Sequence, residues 1–100
     1  MSVSRRLVIS PRAAADLEEL AAYIAHDAPV RAAAFVAELE AKCRAIAGAP
    51  DQYASRTDLA PGLRMAVHGR YLVLFRELPR LRVVRIERVL HGARHLPRLI

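Results

Sequence analysis

From Leu63 to Leu90 the chain carries three apolar runs, LRMAVH (63–68), YLVLFRE (71–77) and LRVVRIERVL (81–90), separated by links of two and three residues. Links this short, Gly69-Arg70 and Leu78-Pro79-Arg80, fold consecutive strands back on one another and leave no room for a crossover. Gly69 supplies the positive φ of a primed hairpin turn. The valines and isoleucine of the last run suit a pleated, largely buried strand. The pattern predicts a three-stranded antiparallel meander with the long last strand central.

What precedes the meander has a different period. Residues 5–10, RRLVIS, read as a short strand around Val8 and Ile9. Ser10-Pro11 is then a helix start, with the serine as cap and the proline in the first turn, where its missing N–H costs nothing. Leu17, Leu20 and Ile24 share a face, and Asp16, Glu18 and Glu19 suit the positive end of the helix dipole. This helix is expected over residues 11–26. Asp27-Ala28-Pro29 breaks it and opens a second helix, with Asp27 or Ala28 as cap. Phe35, Val36, Leu39, Cys43 and Ile46 recur at helical spacing until Gly48 and Pro50 stop it. So short a link makes the two helices an antiparallel hairpin. Residues 48–62, GAPDQYASRTDLAPG, read as a loop. The order strand, helix, helix, three strands predicts an α+β domain with the helices on one face of the sheet.

One hundred residues, 54% of them apolar, make one small packed domain. Met1 to Arg12 contains no apolar leader, and no run approaches the roughly 20 apolar residues of a membrane helix, so a cytoplasmic protein is expected. The single cysteine, Cys43, lies among apolar neighbours and is expected to be a small buried side chain. The net charge of +6 is unevenly distributed. Residues 1–50 balance, whereas residues 51–100 carry ten arginines against Asp51, Asp58, Glu77 and Glu87. A basic second half implies an acidic partner, either nucleic acid or an acidic protein segment.

Four stretches in this order, ISPRAAADLEELAAYIA, AAAFVAELEAKCRAIAGAP, DLAPGLRMAVHGRYLVLFRE and RIERVLHGARHL, resemble the RelE/ParE superfamily of bacterial toxins across nearly the whole chain. The resemblance implies the toxin of a toxin–antitoxin pair, neutralised by a cognate acidic antitoxin of ParD type that wraps an initially flexible segment around it. ParE-like members poison DNA gyrase and block replication, and have a role in plasmid stabilisation. RelE-like members cut messenger RNA on the ribosome.

Cutting RNA at a 2′-hydroxyl requires one group to take its proton, another to protonate the leaving oxygen, and cations around the phosphate. RelE-like ribonucleases begin a strand with an arginine before an apolar pair and an aromatic. Here Leu72 stands in that place, before Val73, Leu74 and Phe75. The phrase VLHGAR matches the ParE-like form, so a noncatalytic gyrase inhibitor without cofactor or metal is expected. In the alternative, a ribosome-dependent endoribonuclease, His91 and Arg94 form a minimal acid/base and phosphate pair. His91 and His95 lack a carboxylate or cysteine nearby in sequence, which argues against a metal site. Arg64, Arg76, Arg85 and Arg88 on the strands, with His91, Arg94 and Arg98 after them, are the expected target-binding residues. Tyr71 and Phe75 are expected to pack against the sheet, and Tyr53 either to face solvent or to fold back onto the core. The final segment, His91 to Ile100, combines basic heads with apolar anchors and is expected to be the functional end of the chain.

Overall fold

The computed structural model describes residues 5–95, with side chains described as far as Ala93. Strand β1 (Arg6–Ile9) leads through Ser10 into helix α1 (Pro11–Asp27). The helix starts where the sequence places it. Ser10 is extended, its Oγ accepts from the Ala13 N–H at 3.0 Å, and Pro11 takes the first helical position. A cap of this kind contributes about 1 kcal/mol. Ala28 alone separates α1 from helix α2 (Pro29–Gly48) and is the residue at its N-terminal boundary, while Asp27 stays inside α1. α2 ends without a left-handed glycine. It includes Gly48 and stops at Ala49, the residue that Pro50 keeps out of the helical region.

Four more strands follow: β2 (Ala54–Ser55), β3 (Arg64–His68), β4 (Tyr71–Leu78) and β5 (Val83–His91). With β1 they form a five-stranded sheet in the order β1-β5-β4-β3-β2. The meander β3-β4-β5 is antiparallel as expected, and β1 adds to β5 in parallel. β4 therefore holds the middle, and β5 lies between it and β1. The predicted loop contains β2, an exposed two-residue strand too short to display alternation. β5 begins at Val83 because Pro79–Leu81 form a 3-10 turn and Arg82 adopts the left-handed region at φ 52°. At the β3–β4 turn Gly69 has φ 59°, as a primed two-residue hairpin requires.

Both helices cover one face of the sheet. Ala13 and Leu20 of α1 and Phe35, Leu39, Cys43 and Ile46 of α2 pack on Val73 and Phe75 of β4 and Val84, Ile86 and Val89 of β5. Leu39 and Phe75 are fully buried, so truncating either to alanine costs about 2–5 kcal/mol. A smaller cluster, Leu63, Leu74 and Leu90 with Leu59, Ala60 and Met65, occupies the opposite face. Among the described residues no helix is long and apolar enough to cross a membrane.

Candidate functional site

The site on the face away from the helices begins with a break in strand alternation. Leu74 lies opposite Arg88 and Phe75 opposite Ile86, which leaves Glu87 as an extra residue on β5. The bulge reverses the parity of the strand. Ile86 and Val89 both reach the helix-side core, three residues apart, while Leu90 joins the cluster beneath the other face.

The same stretch of β5 loses its parallel neighbour, because β1 stops at Ile9 opposite Ile86 and the chain turns away into α1. Ser10 and Asp16 take the place of the missing strand. The Ser10 N–H donates to the Ile86 carbonyl at 3.0 Å, and Ser10 Oγ donates to the Glu87 carbonyl at 3.0 Å. Asp16 Oδ2 accepts from the Val89 N–H at 3.0 Å. The Asp16 carboxylate also holds Arg88 bidentately, from Nε at 2.8 Å and from a terminal nitrogen at 3.0 Å. That hydrogen bond raises the Arg88 guanidinium pKa above its already high value, against the opposing effect of partial burial.

A pocket of about 470 Å³ opens at this point. Its floor is apolar, from Leu59, Ala60, Leu63 and Leu74, and its rim carries Arg12, Arg76, Arg85 and Arg88 with the single carboxylate of Glu87. Glu87 bridges two of the arginines, with Oε2 3.1 Å from Arg76 and Oε1 3.1 Å from Arg85. Arg76 is fixed further by donating from Nε to the Pro61 carbonyl at 3.1 Å. Arg12 has no ion-pair or hydrogen-bond partner among the described residues. The lip of the pocket is a closed loop. Arg56 N–H donates to the Leu63 carbonyl at 2.7 Å, Leu59 N–H donates to the Arg56 carbonyl at 3.0 Å, and Gly62 turns at φ 72°. On the outside of the loop Arg56 clasps Asp58 with two hydrogen bonds of 2.9 Å, which hold the Asp58 carboxyl below the usual carboxylate range.

Of the arginines expected at the site, Arg76, Arg85 and Arg88 come together here. Arg64 does not join them. It shares the helix-side face with Ala66 and donates to the Tyr53 carbonyl at 2.7 Å. His91 also lies on the helix side, opposite Tyr71, with the two rings edge to face at 5.4 Å. Arg94 belongs to a short helical turn, α3 (Gly92–His95), and its side chain lies outside the described residues, as does the whole of Arg98. Tyr53 folds back, edge-on to Phe75 at 5.8 Å with Lys42 Nζ 5.2 Å from its ring centroid. Tyr71 packs on Phe35 at 4.7 Å, so no aromatic side chain lines the pocket among the described residues. Leu72, in the place where RelE-like ribonucleases carry an arginine, is buried. Nowhere among the described residues do three or more His, Cys, Asp or Glu side chains converge as a metal site would require.

Sequence reasoning did not find Asp16, Glu87 or Arg12. Glu87 carried a usable signal, a lone acid between Arg85 and Arg88 on one strand. Asp16 carried none, since its partner Arg88 is 72 positions away.

The family model described as the ParE toxin of the type II toxin–antitoxin system parDE matches residues 7–96. Among solved structures the chain is similar to one from a chromosomal ParDE toxin–antitoxin system of P. aeruginosa. The TM-score is 0.74 and the identity 21%, over 86% of this chain and 94% of that one. It is also similar to a chain of the RelBE2 toxin–antitoxin complex from Mycobacterium tuberculosis. There the TM-score is 0.68 and the identity 25%, over 89% of this chain and 99% of that one. No curated protein sequence matches the chain.

Proposed function

Because the chain belongs to the ParE toxin family of type II toxin–antitoxin systems, we propose that it inhibits DNA gyrase as a noncatalytic binder and is held inactive by a cognate acidic antitoxin. The placement of His91 carries this reading. His91 faces the helices beside Tyr71, whereas Arg76, Arg85 and Arg88 line a pocket on the opposite face of the sheet. Cleavage at a 2′-hydroxyl needs proton-transfer groups and phosphate-binding cations within hydrogen-bond reach of the same few atoms. The sheet lies between His91 and these three arginines, which supports the noncatalytic reading. The three arginines are also tied to Asp16 and Glu87, which suits a rigid recognition surface more than a loose clamp for a reacting phosphate.

In this reading the toxin acts through affinity. Arg76, Arg85 and Arg88, together with Arg94, Arg98 and the rest of the C-terminal segment, form the surface presented to the target. The antitoxin neutralises by covering that surface.

Purified protein added to a gyrase supercoiling reaction and, separately, to translating ribosomes tests the proposal. Inhibited supercoiling with trapped DNA cleavage complexes is the expected result. Cut messenger in the ribosome reaction, with supercoiling unaffected, overturns it in favour of the endoribonuclease.

A further inference from the structure

We infer that the pocket between the α1 N-terminus and the 59–63 loop is a socket for a single aliphatic side chain of a partner peptide with a carboxylate beside it. The peptide is a segment of the antitoxin. The assignment rests on the toxin reading for the partner's identity alone, since the chemistry of the socket follows from its walls.

The floor of Leu59, Ala60, Leu63 and Leu74 offers no hydrogen-bonding side chain, so it rewards burial of an apolar group. About 470 Å³ is more than one side chain needs and less than a folded domain requires, which fits an anchor with its flanking backbone. The rim holds four guanidinium groups against the one carboxylate of Glu87, with Asp16 behind Arg88, so the mouth is positive overall. Arg12 and Arg85 are its exposed cations, and Arg85 is 47% accessible in its side chain. Glu87 already satisfies one side of Arg76 and of Arg85, which leaves room for one further carboxylate at the mouth.

The same features disfavour a nucleic-acid strand. Stacking on aromatic faces is the main sequence-tolerant way to hold single-stranded bases, and the lining has no aromatic group. A run of phosphates would also lie against Glu87, whereas a lone carboxylate can settle on Arg12, a rim cation that Glu87 does not hold. The lip is braced by its own backbone hydrogen bonds and needs little ordering when the anchor enters.

A random dodecapeptide library displayed on phage, selected on the full chain, tests the inference. Selected peptides should share an aliphatic residue next to an aspartate or glutamate. Their affinity should fall about tenfold or more on Ala60→Arg, which fills the socket, and on Arg85→Ala, which removes a rim cation, while Arg31→Ala on α2 leaves it unchanged. Circular dichroism confirms that each variant is folded, and Arg85→Ala alone carries the test if Ala60→Arg is not. Selected peptides indifferent to Arg85→Ala overturn the inference, as does an oligouridylate that binds the natural chain and is displaced by Ala60→Arg. Peptide binding is read without gyrase, so its failure leaves the toxin reading standing, and failure of gyrase inhibition leaves the socket standing.

Discussion

The carboxylate of Asp16 on α1 grips the guanidinium of Arg88 on β5 with two hydrogen bonds, of 2.8 and 3.0 Å, at the point where β5 bulges and β1 has already ended. Its Oδ2 also accepts from the Val89 N–H, a strand donor that a longer β1 would have paired. One aspartate thus closes the sheet edge, anchors the helix hairpin to the sheet, and fixes one rim arginine of the socket. Ser10 repeats this on a smaller scale by capping α1 and donating to the Glu87 carbonyl.

Asp16→Ala is expected to destabilise the fold by about 2–3 kcal/mol, because it leaves the Val89 N–H and the half-buried guanidinium without their acceptor. Asp16→Asn should recover part of the loss, since the amide oxygen still accepts one bond. Urea unfolding of the three proteins measures this. A loss below about 0.5 kcal/mol for Asp16→Ala, the range of ordinary surface substitutions, contradicts the role given to Asp16.

Burial pushes the Cys43 thiol up from 9.0 to about 11, and the nearby Glu40 carboxylate adds to the shift. The folded chain holds this proton more tightly than the unfolded chain does. The resulting stabilisation is complete below about pH 9 and is lost as pH rises through about 11. The shift corresponds to at most about 2–3 kcal/mol. Cys43→Ala, less stable at pH 7 because of the lost packing, should therefore close on the natural protein between pH 9 and 11. A stability gap that stays constant over that interval excludes thiol ionisation as its cause.

The fold was legible wherever local chemistry decides structure. Ser10-Pro11 starts α1, Gly69 turns the β3–β4 hairpin, and the alternation of Tyr71, Val73 and Phe75 puts the aromatics inside. The site was legible only in part, because strand alternation carried through β5 ignores the bulge at Glu87. Before the bulge, parity places Arg85 on the open face; after it, parity moves Val89 and His91 to the helix side. Arg64 illustrates the other limit, since nothing local foretells that the Tyr53 carbonyl receives its guanidinium. β2 escaped notice because two residues, Ala54 and Ser55, have no period.

His91→Ala is expected to leave growth arrest largely intact, whereas Arg85→Ala with Arg94→Ala should weaken it in proportion to the contacts removed. A general acid or base contributes about a hundredfold or more, so a toxin that depended on His91 for chemistry would be nearly silenced by that one change. Growth after induced expression without an antitoxin reads the difference. Complete detoxification by His91→Ala, with the circular dichroism spectrum unchanged, favours the ribonuclease.

Association with the acidic antitoxin should slow as salt rises, because the arginine-rich half steers the encounter and added ions screen it within about 8–10 Å. Dissociation should change much less, since the anchor in the socket is apolar. Stopped-flow measurements between low and high salt separate the two rates. An association rate indifferent to salt removes the electrostatic part of the proposal.

The last prediction concerns residues 96–100, which lie outside the described fold and carry Leu96, Arg98, Leu99 and Ile100 around Pro97. The fold ties the chain down before this point. β5 ends at His91, the Gly92 N–H donates to the Arg70 carbonyl at 2.9 Å, and a Cβ at position 92 would lie 3.4 Å from that same oxygen. A chain ending at His95 therefore keeps every described strand pairing and both core clusters, and its thermal midpoint should stay within a few degrees of the natural protein. It loses Arg98 and three aliphatic side chains, a combination of basic and apolar groups that interaction surfaces share. Growth arrest and gyrase inhibition by the shortened protein should drop by about tenfold or more while its fold is retained. If the shortened protein is folded and still arrests growth at the natural dose, residues 96–100 are not part of the effector surface, and the arginines of the socket face carry target binding without them.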